Sequence, residues 1–156
     1  MSCIKQIAAM LLIARAGAFG EEDFKQAIMN SYAATFAAMR QAKTKSDIDM
    51  MVDAIDAPEW VASLPAGETM TRPEAVALLG GVLAIPAEKR PMPRQQIVYM
   101  TETGWNVLVV YWVYRQSESR LIGSLARDTW VRTARGWRRI RHEKFFPDGP
   151  LDLVVK

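Results

Sequence analysis

The period of the hydrophobic pattern changes partway along the chain, and this change constrains the fold more than any other feature. Residues 85–94 contain Pro86, Pro91 and Pro93, and a stretch so rich in proline is expected to be a loop. Apolar residues before it recur three or four positions apart, whereas the segments after it follow the two-residue period of strands. The order of helices first and strands afterwards predicts an α+β fold, with helices covering one face of an antiparallel sheet.

Three helices are predicted, and all three lie before that loop. Their expected ranges are residues 24–43, 48–55 and 73–83. Each range is preceded by side chains that can accept hydrogen bonds from the first turn. These candidate caps are Glu22 or Asp23, then Ser46 or Asp47, and finally Thr71.

The strands are predicted to form a four-strand antiparallel meander after one short strand at residues 59–64. The meander is expected at residues 95–100, 105–115, 120–133 and 137–145. If Arg135 and Gly136 form a two-residue hairpin turn, Asp128 lies opposite Glu143 and His142 lies opposite Thr129. Two opposed carboxylates would repel each other and raise one pKa, unless Arg127, Arg141 or Lys144 neutralises them. A strongly curved sheet of this kind would leave a cavity between itself and the helices.

The first twenty residues differ in character from the rest. Lys5 precedes an unbroken apolar run at residues 7–14, and the small residues Ala16 and Ala18 follow. This order is typical of a secretory signal peptide cleaved after Ala18, and it predicts a secreted or periplasmic protein. The alternatives are an N-terminal amphipathic helix or a disordered leader, either of which fits a cytoplasmic protein. We therefore expect a leader at residues 1–20, one domain at 21–150 and a tail at 151–156.

Composition excludes several kinds of site. The single cysteine, Cys3, and the single histidine, His142, rule out an internal disulfide and a zinc site built from cysteines or paired histidines. No phosphate-binding glycine motif is present, so we expect no cofactor and no metal. No apolar run is long enough to span a membrane. Basic residues alternate along the predicted strands as on a solvated face, so we expect no nucleic-acid partner.

Four stretches resemble a known group of proteins. They are the opening amphipathic helix, Arg72-Pro73-Glu74-Ala75, the apolar strand at 105–114, and residues 125–132 followed by Gly136-Trp137-Arg138. In these stretches the chain resembles the SnoaL-like and ketosteroid-isomerase-like proteins of the nuclear-transport-factor-2-like superfamily, in a branch of unassigned function. The resemblance implies a cone-shaped, cystatin-like α+β barrel with a pocket inside the cone and a homodimer formed through the sheet.

The resemblance also implies candidate catalytic residues. Asp128 matches the strand aspartate of the ketosteroid isomerases, and Tyr32 matches their helix tyrosine. The position of their catalytic base falls near Ser63 and Leu64, where no acid is present, so true isomerase activity is not expected. His142 is a third candidate, because an imidazole on a pocket-facing strand can act as an acid or a base near neutral pH.

Aromatic residues on the predicted strands suggest a pocket for a small hydrophobic molecule. The candidate ligand-binding residues are Trp60, Trp112, Tyr114 and Trp130. Trp112 lies on the opposite strand face from Tyr111, so one set faces the cavity and the other faces a partner or solvent. Plain core packing is the alternative role for these side chains, and an exposed aromatic face would favour a dimer.

Three functions therefore remain open. The first is a ligand-binding domain without demonstrable catalysis. The second is an isomerase- or hydrolase-type enzyme acting on a polyketide- or steroid-like substrate, which requires Asp128, His142 and Tyr32 to meet within about 3–4 Å of one point. The third is a protein-interaction module with a filled cone.

Overall fold

The computed structural model describes residues 21–90, 92–117 and 120–151. The predicted leader and most of the predicted tail lie outside the described residues. The helices are α1 (Glu21–Gln41), α2 (Lys45–Ile55) and α3 (Arg72–Gly80), followed by the short 3-10 turns Gly81–Ala84 and Ala87–Lys89. None of these described helices is both long enough and apolar enough to span a membrane.

The helix starts follow capping chemistry, with two corrections. Helix α1 begins at Glu21, so the predicted caps Glu22 and Asp23 lie inside it. Helix α2 is capped by Thr44, not by the predicted Ser46 or Asp47. The Thr44 hydroxyl accepts a hydrogen bond from the Asp47 amide at 3.2 Å, and the Asp47 carboxylate accepts one from the Thr44 amide at 2.8 Å. This reciprocal pair satisfies two amides that the helix itself cannot. Helix α3 starts as predicted, with the Thr71 amide donating to the Glu74 carboxylate at 2.7 Å.

The strands form one curved, mostly antiparallel sheet, which confirms the predicted α+β class. They are β1 (Asp56–Ser63), β2 (Thr69–Thr71), β3 (Arg94–Thr103), β4 (Asn106–Ser117), β5 (Arg120–Thr133), β6 (Gly136–Lys144) and β7 (Gly149–Pro150). Their order is β2-β1-β6-β5-β4-β3, and β7 pairs with β5. The sequence did not predict that β1 runs parallel to β6. This pairing places the end of α2 beside the last long hairpin.

The inner face of the sheet packs against α1. Phe24, Ile28 and Tyr32 lie along one side of the helix, at the four-residue spacing of a single helical face. They contact a core of strand residues that comprises Val107, Val109, Tyr111, Ala126 and Trp130. Because side chains alternate along a strand, the residues between these positions lie on the outer face. We refer to these two surfaces as the inner face and the outer face.

The register of the β5–β6 hairpin corrects the predicted pairing. Thr133 pairs with Gly136, so the turn residues are Ala134 and Arg135, and the register shifts once more between Thr129 and Trp130. Gly136 has φ 93°, a left-handed conformation that glycine adopts at little cost. As a result Asp128 lies opposite His142 rather than Glu143.

Glu143 lies opposite Arg127 in this register. The Arg127 Nε donates to the Glu143 carboxylate at 2.7 Å. The neutralisation that the sequence left as an alternative therefore holds for Glu143, and no carboxylate repulsion arises.

Candidate functional site

A buried carboxylate, Asp128, forms the centre of a polar cluster on the inner face. Its side chain has no exposed surface. The hydroxyls of Tyr32 and Tyr111 donate to Oδ2 at 2.6 and 3.0 Å, and Arg139 Nη1 donates to the same oxygen at 3.3 Å. The Nδ1 atom of His142 lies 2.8 Å from Oδ1. Four side chains thus surround one carboxylate, and we call these five residues the Asp128 cluster.

Each member of the Asp128 cluster is positioned by a different local feature. Tyr32 lies on the sheet-facing side of α1, and its oxygen accepts a hydrogen bond from Trp130 Nε1 at 3.1 Å. That bond leaves the phenol proton directed toward Asp128. His142 enters the cluster through the shifted hairpin register. The cluster therefore depends on helix packing and on strand pairing together.

Arg139 connects the cluster to strand β1. Its Nε and Nη2 atoms donate to the two carboxylate oxygens of Asp56 at 2.7 and 3.2 Å, a two-point contact that matches the flat guanidinium to the carboxylate. The guanidinium lies over the Trp60 ring, 5.4 Å from its centroid. Arg139 thus bridges two acids, Asp56 and Asp128, whose side chains are only 3% and 0% exposed.

The charges of the cluster follow from its burial and its contacts. Burial alone would raise the pKa of Asp128, but Arg139 and His142 outweigh it and hold this pKa at about 2. Burial, reinforced by the charge of Asp128, raises the pKa of both Tyr32 and Tyr111, so both remain neutral phenols that donate hydrogen bonds. Burial raises the pKa of Asp56 despite its contact with Arg139. Asp128 is consequently an acceptor and not a proton donor at neutral pH.

The structure brings together some of the residues singled out by sequence and separates others. Tyr32, Asp128 and His142 meet as the enzyme hypothesis requires. Trp130 is fully buried beside Tyr32, and Trp60 packs beside Arg139. In contrast, Trp112 and Tyr114 lie on the outer face, with Trp112 against Phe146 at a ring-centroid distance of 5.9 Å. Trp112 and Tyr114 therefore do not line the interior with the other two.

Sequence reasoning missed three members of this region. Asp56 and Arg139 were not candidates because only the unpredicted parallel pairing of β1 and β6 places them side by side. Tyr111 was known to alternate with Trp112, but nothing showed which of the two faces the helices. Val107 and Val109 precede Tyr111 by four and two residues, so the three share one face of β4, and this spacing is the signal that could have identified Tyr111.

Three buried polar atoms on the inner face have no hydrogen-bond partner among the described residues. They are Ser124 Oγ, Gln95 Nε2 and Trp60 Nε1. Ser124 and Gln95 both pair with Val113, which packs against the core, and Trp60 lies two residues from Ala62, the partner of His142. Buried polar groups without partners are rare in folded proteins. Strands β6, β5 and β4 lie between Trp60 on β1 and Gln95 on β3, so the three atoms do not form one site.

A separate groove lies on another side of helix α1. Its volume is about 1440 Å³, and Ala38, Asp47, Met50, Met51 and Arg90 are among the residues that line it. None of its lining residues belongs to the Asp128 cluster. We therefore do not assign the groove to the candidate site. Within residues 21–90, 92–117 and 120–151, no three acidic, histidine or cysteine side chains are grouped to hold a metal ion.

Comparison with known proteins rests on structure alone, since the sequence matches no protein-family model and no curated protein. A nuclear-transport-factor-2-like protein with a cystatin-like fold from Novosphingobium aromaticivorans superposes with a TM-score of 0.56 at 16% identity, covering 99% of this chain and 94% of that chain. The chain has the nuclear-transport-factor-2-like fold. A domain of unknown function with a cystatin-like fold from Nostoc punctiforme gives a TM-score of 0.59 at 14% identity, covering 83% of this chain and 79% of that chain.

A conserved protein from Planctomyces limnophilus is also similar, with a TM-score of 0.58 at 11% identity over 84% of this chain and 98% of that chain. The predicted cone-shaped, cystatin-like architecture is thus confirmed. A fold shared by proteins of many activities does not specify chemistry. The likeness therefore shows the fold alone, and the side chains decide the chemistry.

Proposed function

We propose that this nuclear-transport-factor-2-like domain binds a small hydrophobic molecule on the inner face of its sheet, next to the Asp128 cluster. The observation that carries the proposal is the meeting of Tyr32, Asp128 and His142 at one buried point. Aromatic side chains, among them Trp60 and Tyr111, are buried around this point. An apolar pocket with a few convergent polar groups is the usual form of a small-molecule site.

A fluorescent apolar probe, N-phenyl-1-naphthylamine, tests this proposal. His142→Trp places a large ring on the inner face, whereas Arg141→Trp places the same ring on the outer face, one residue away. We expect saturable binding of one probe per chain, weakened at least about tenfold by His142→Trp and less than about twofold by Arg141→Trp. Circular dichroism checks that both variants fold. Equal effects of the two variants, or no saturable binding, would instead favour the interaction module with a filled cone.

An acid–base enzyme is the second candidate, and the contact of His142 with Asp128 favours it. A carboxylate that holds an imidazole in place is a frequent arrangement for proton transfer. The resemblance suggests a steroid- or polyketide-like substrate, and a β,γ-unsaturated 3-oxo steroid is a practical probe. If the enzyme reading is correct, His142→Gln lowers its turnover about 100-fold or more. A rate that equals the uncatalysed reaction, or that survives the substitution, contradicts it.

We further propose that the outer face forms a homodimer. An apolar patch on this face comprises Tyr99, Val110, Trp112, Tyr114 and Phe146. Tyr99 and Phe146 are 47% and 39% exposed. Exposed aromatic residues grouped on one surface are typical of protein interfaces.

Tyr99→Glu is expected to weaken such a dimer at least tenfold, because it replaces an aromatic ring of the patch with a charge that must lose its water when the interface forms. Analytical ultracentrifugation measures the dissociation constant. Met50→Glu is the matched control, since Met50 is 60% exposed but lies on α2, away from the patch. A wild-type chain that sediments as a monomer at all concentrations contradicts the proposal, as does equal weakening by both variants.

We also propose that the protein is exported. Residues 1–20 have the order of charge, apolar run and small residues that is typical of a signal peptide, with cleavage expected after Ala18. N-terminal sequencing of exported protein from a bacterial host tests this. Retention of Met1 on the exported chain, or failure to export, would contradict it.

A further inference from the structure

His142 is the member of the Asp128 cluster with the most exposed side chain. That side chain is 22% exposed and the Arg139 side chain 17%, whereas Tyr32 and Tyr111 are each 5% exposed and Asp128 is fully buried. Arg139 already uses Nε, Nη1 and Nη2 in contacts with Asp56 and Asp128. The imidazole is therefore the polar group of the cluster best placed to meet a ligand.

The contacts of the ring determine which of its nitrogens carries the proton. Asp128 is ionised, so each of its oxygens can only accept hydrogen bonds. Nδ1 lies 2.8 Å from Oδ1 and must therefore be the protonated nitrogen. The Tyr111 hydroxyl, 3.3 Å from Nδ1, has Asp128 Oδ2 as its nearer acceptor at 3.0 Å. A neutral imidazole has only one N–H group, so Nε2 keeps its lone pair.

We propose that Asp128 holds neutral His142 as the Nδ1–H tautomer, so that Nε2 accepts a hydrogen bond from a hydroxyl group on the apolar ligand. Asp128 is then a positioning residue, and His142 is the specificity-determining contact. This inference rests on the proposed ligand-binding function and names the ligand class as an apolar alcohol, phenol or enol. An ether of the same shape offers no donor and would leave the Nε2 lone pair unpaired in a desolvated position, which binding sites penalise strongly.

Nitrogen NMR of the imidazole tests the tautomer directly. His142 is the only histidine in the chain, so selective ¹⁵N-histidine labelling gives a single ring to observe. At about pH 8, where model histidine is neutral, we expect a protonated Nδ1 and a bare Nε2, told apart by their couplings to Hδ2. A protonated Nε2, whether alone or together with a protonated Nδ1, overturns the proposal. This measurement uses the wild-type chain and needs no ligand.

A matched pair of probes tests the ligand class. 2-Naphthol carries a hydroxyl, and 2-methoxynaphthalene has the same ring system with that donor methylated. We expect the wild-type protein to bind 2-naphthol at least about tenfold more tightly and to show a change in the Nε2 resonance with 2-naphthol only. His142→Leu should remove the preference, so that the two probes bind with equal affinity, because leucine has no lone pair to accept the hydroxyl proton.

The outcomes separate this inference from the proposed function. Equal affinity of wild-type protein for the two probes, or a preference that survives His142→Leu, overturns the hydroxyl assignment and leaves ligand binding intact. Saturable binding of neither probe contradicts the proposed function together with this inference. Asp128→Asn tests the positioning role of Asp128. An asparagine amide can donate a hydrogen bond as well as accept one, so it no longer determines which nitrogen of the His142 ring carries the proton. We expect that variant to show a mixture of ring tautomers, and an unchanged Nδ1–H tautomer would contradict the role given to Asp128.

Discussion

Replacing Arg139 with leucine is expected to lower the free energy of unfolding by about 3–5 kcal/mol, the usual cost of breaking a buried ion pair by removing one partner. The cost is large here because one guanidinium serves two acids. Asp56 and Asp128 both remain buried after the substitution, and no other lysine or arginine among the described residues forms an ion pair with either carboxylate. Urea unfolding followed by tryptophan fluorescence measures the change.

Arg141→Leu is the matched control, since Arg141 is exposed on the same strand. That substitution is expected to change stability by no more than about 0.5 kcal/mol, as is usual at surface positions. A double variant adds a second check. Adding Asp56→Leu to Arg139→Leu removes one stranded carboxylate, so the double variant should be more stable than the sum of the two single effects predicts. Additive effects, or a loss no greater than that of Arg141→Leu, would show that the ion pairs contribute little.

Replacing Asp128 with alanine is the second substitution with a large expected effect. It removes the acceptor shared by Tyr32, Tyr111, Arg139 and His142, and it leaves a void where the carboxylate stood. Buried donors that lose their acceptor are still removed from water but are no longer compensated by a hydrogen bond, and this destabilises the folded state. We expect a loss of about 3–5 kcal/mol near neutral pH, measured by the same unfolding experiment. Asp49→Ala, an exposed acid on α2, should be nearly neutral.

The effect of Asp128→Ala should depend on pH in a defined direction. The pKa of Asp128 is lowered from 3.8 to about 2 in the folded protein, so the folded chain takes up this proton less readily than the unfolded chain. The resulting stabilisation is fully present above the unfolded pKa and disappears as the pH falls through the folded one. Wild-type and variant stabilities should therefore approach each other by about 2 kcal/mol between about pH 5 and pH 2.

A constant difference between wild type and Asp128→Ala over that pH range would contradict the ionised state assigned to Asp128. Carboxylates without contact to the Asp128 cluster contribute equally in both chains, so their contribution cancels in the difference. Asp56 is the exception, because the charge of Asp128 contributes to the raised pKa of Asp56. The comparison thus reports Asp128 together with its effect on Asp56.

Periodicity and proline placement were sufficient to predict the layers of this fold. The hydrophobic spacing along α1 identified the helix that packs on the sheet, and the two-residue period after residue 94 identified the long strands β3 to β6. These predictions succeed because they depend on one face of one element being buried. The three-residue strand β2 is too short to show a period, and the parallel pairing of β1 with β6 depends on contacts between segments distant in sequence.

The candidate site was only partly predictable for the same reason. Tyr32 and Asp128 were found through a resemblance, and His142 because an imidazole on a pocket-facing strand can act as an acid or a base near neutral pH. The predicted pairing of Asp128 with Glu143 was wrong because a shift of one residue in a hairpin exchanges the neighbours of every side chain. The left-handed glycine at position 136 and the irregularity after Thr129 set that register, and neither can be read from hydrophobic spacing.

The parallel contact between the first and the sixth strand has a consequence for biosynthesis. Asp56 emerges from the ribosome 83 residues before Arg139, and Tyr32 emerges 96 residues before Asp128. Until β6 is translated, Asp56 has no arginine partner, and contacts this distant in sequence form slowly. A nascent chain stalled before residue 136 would thus lack Arg139 and His142, so the Asp128 cluster is completed only when nearly the whole chain has been made.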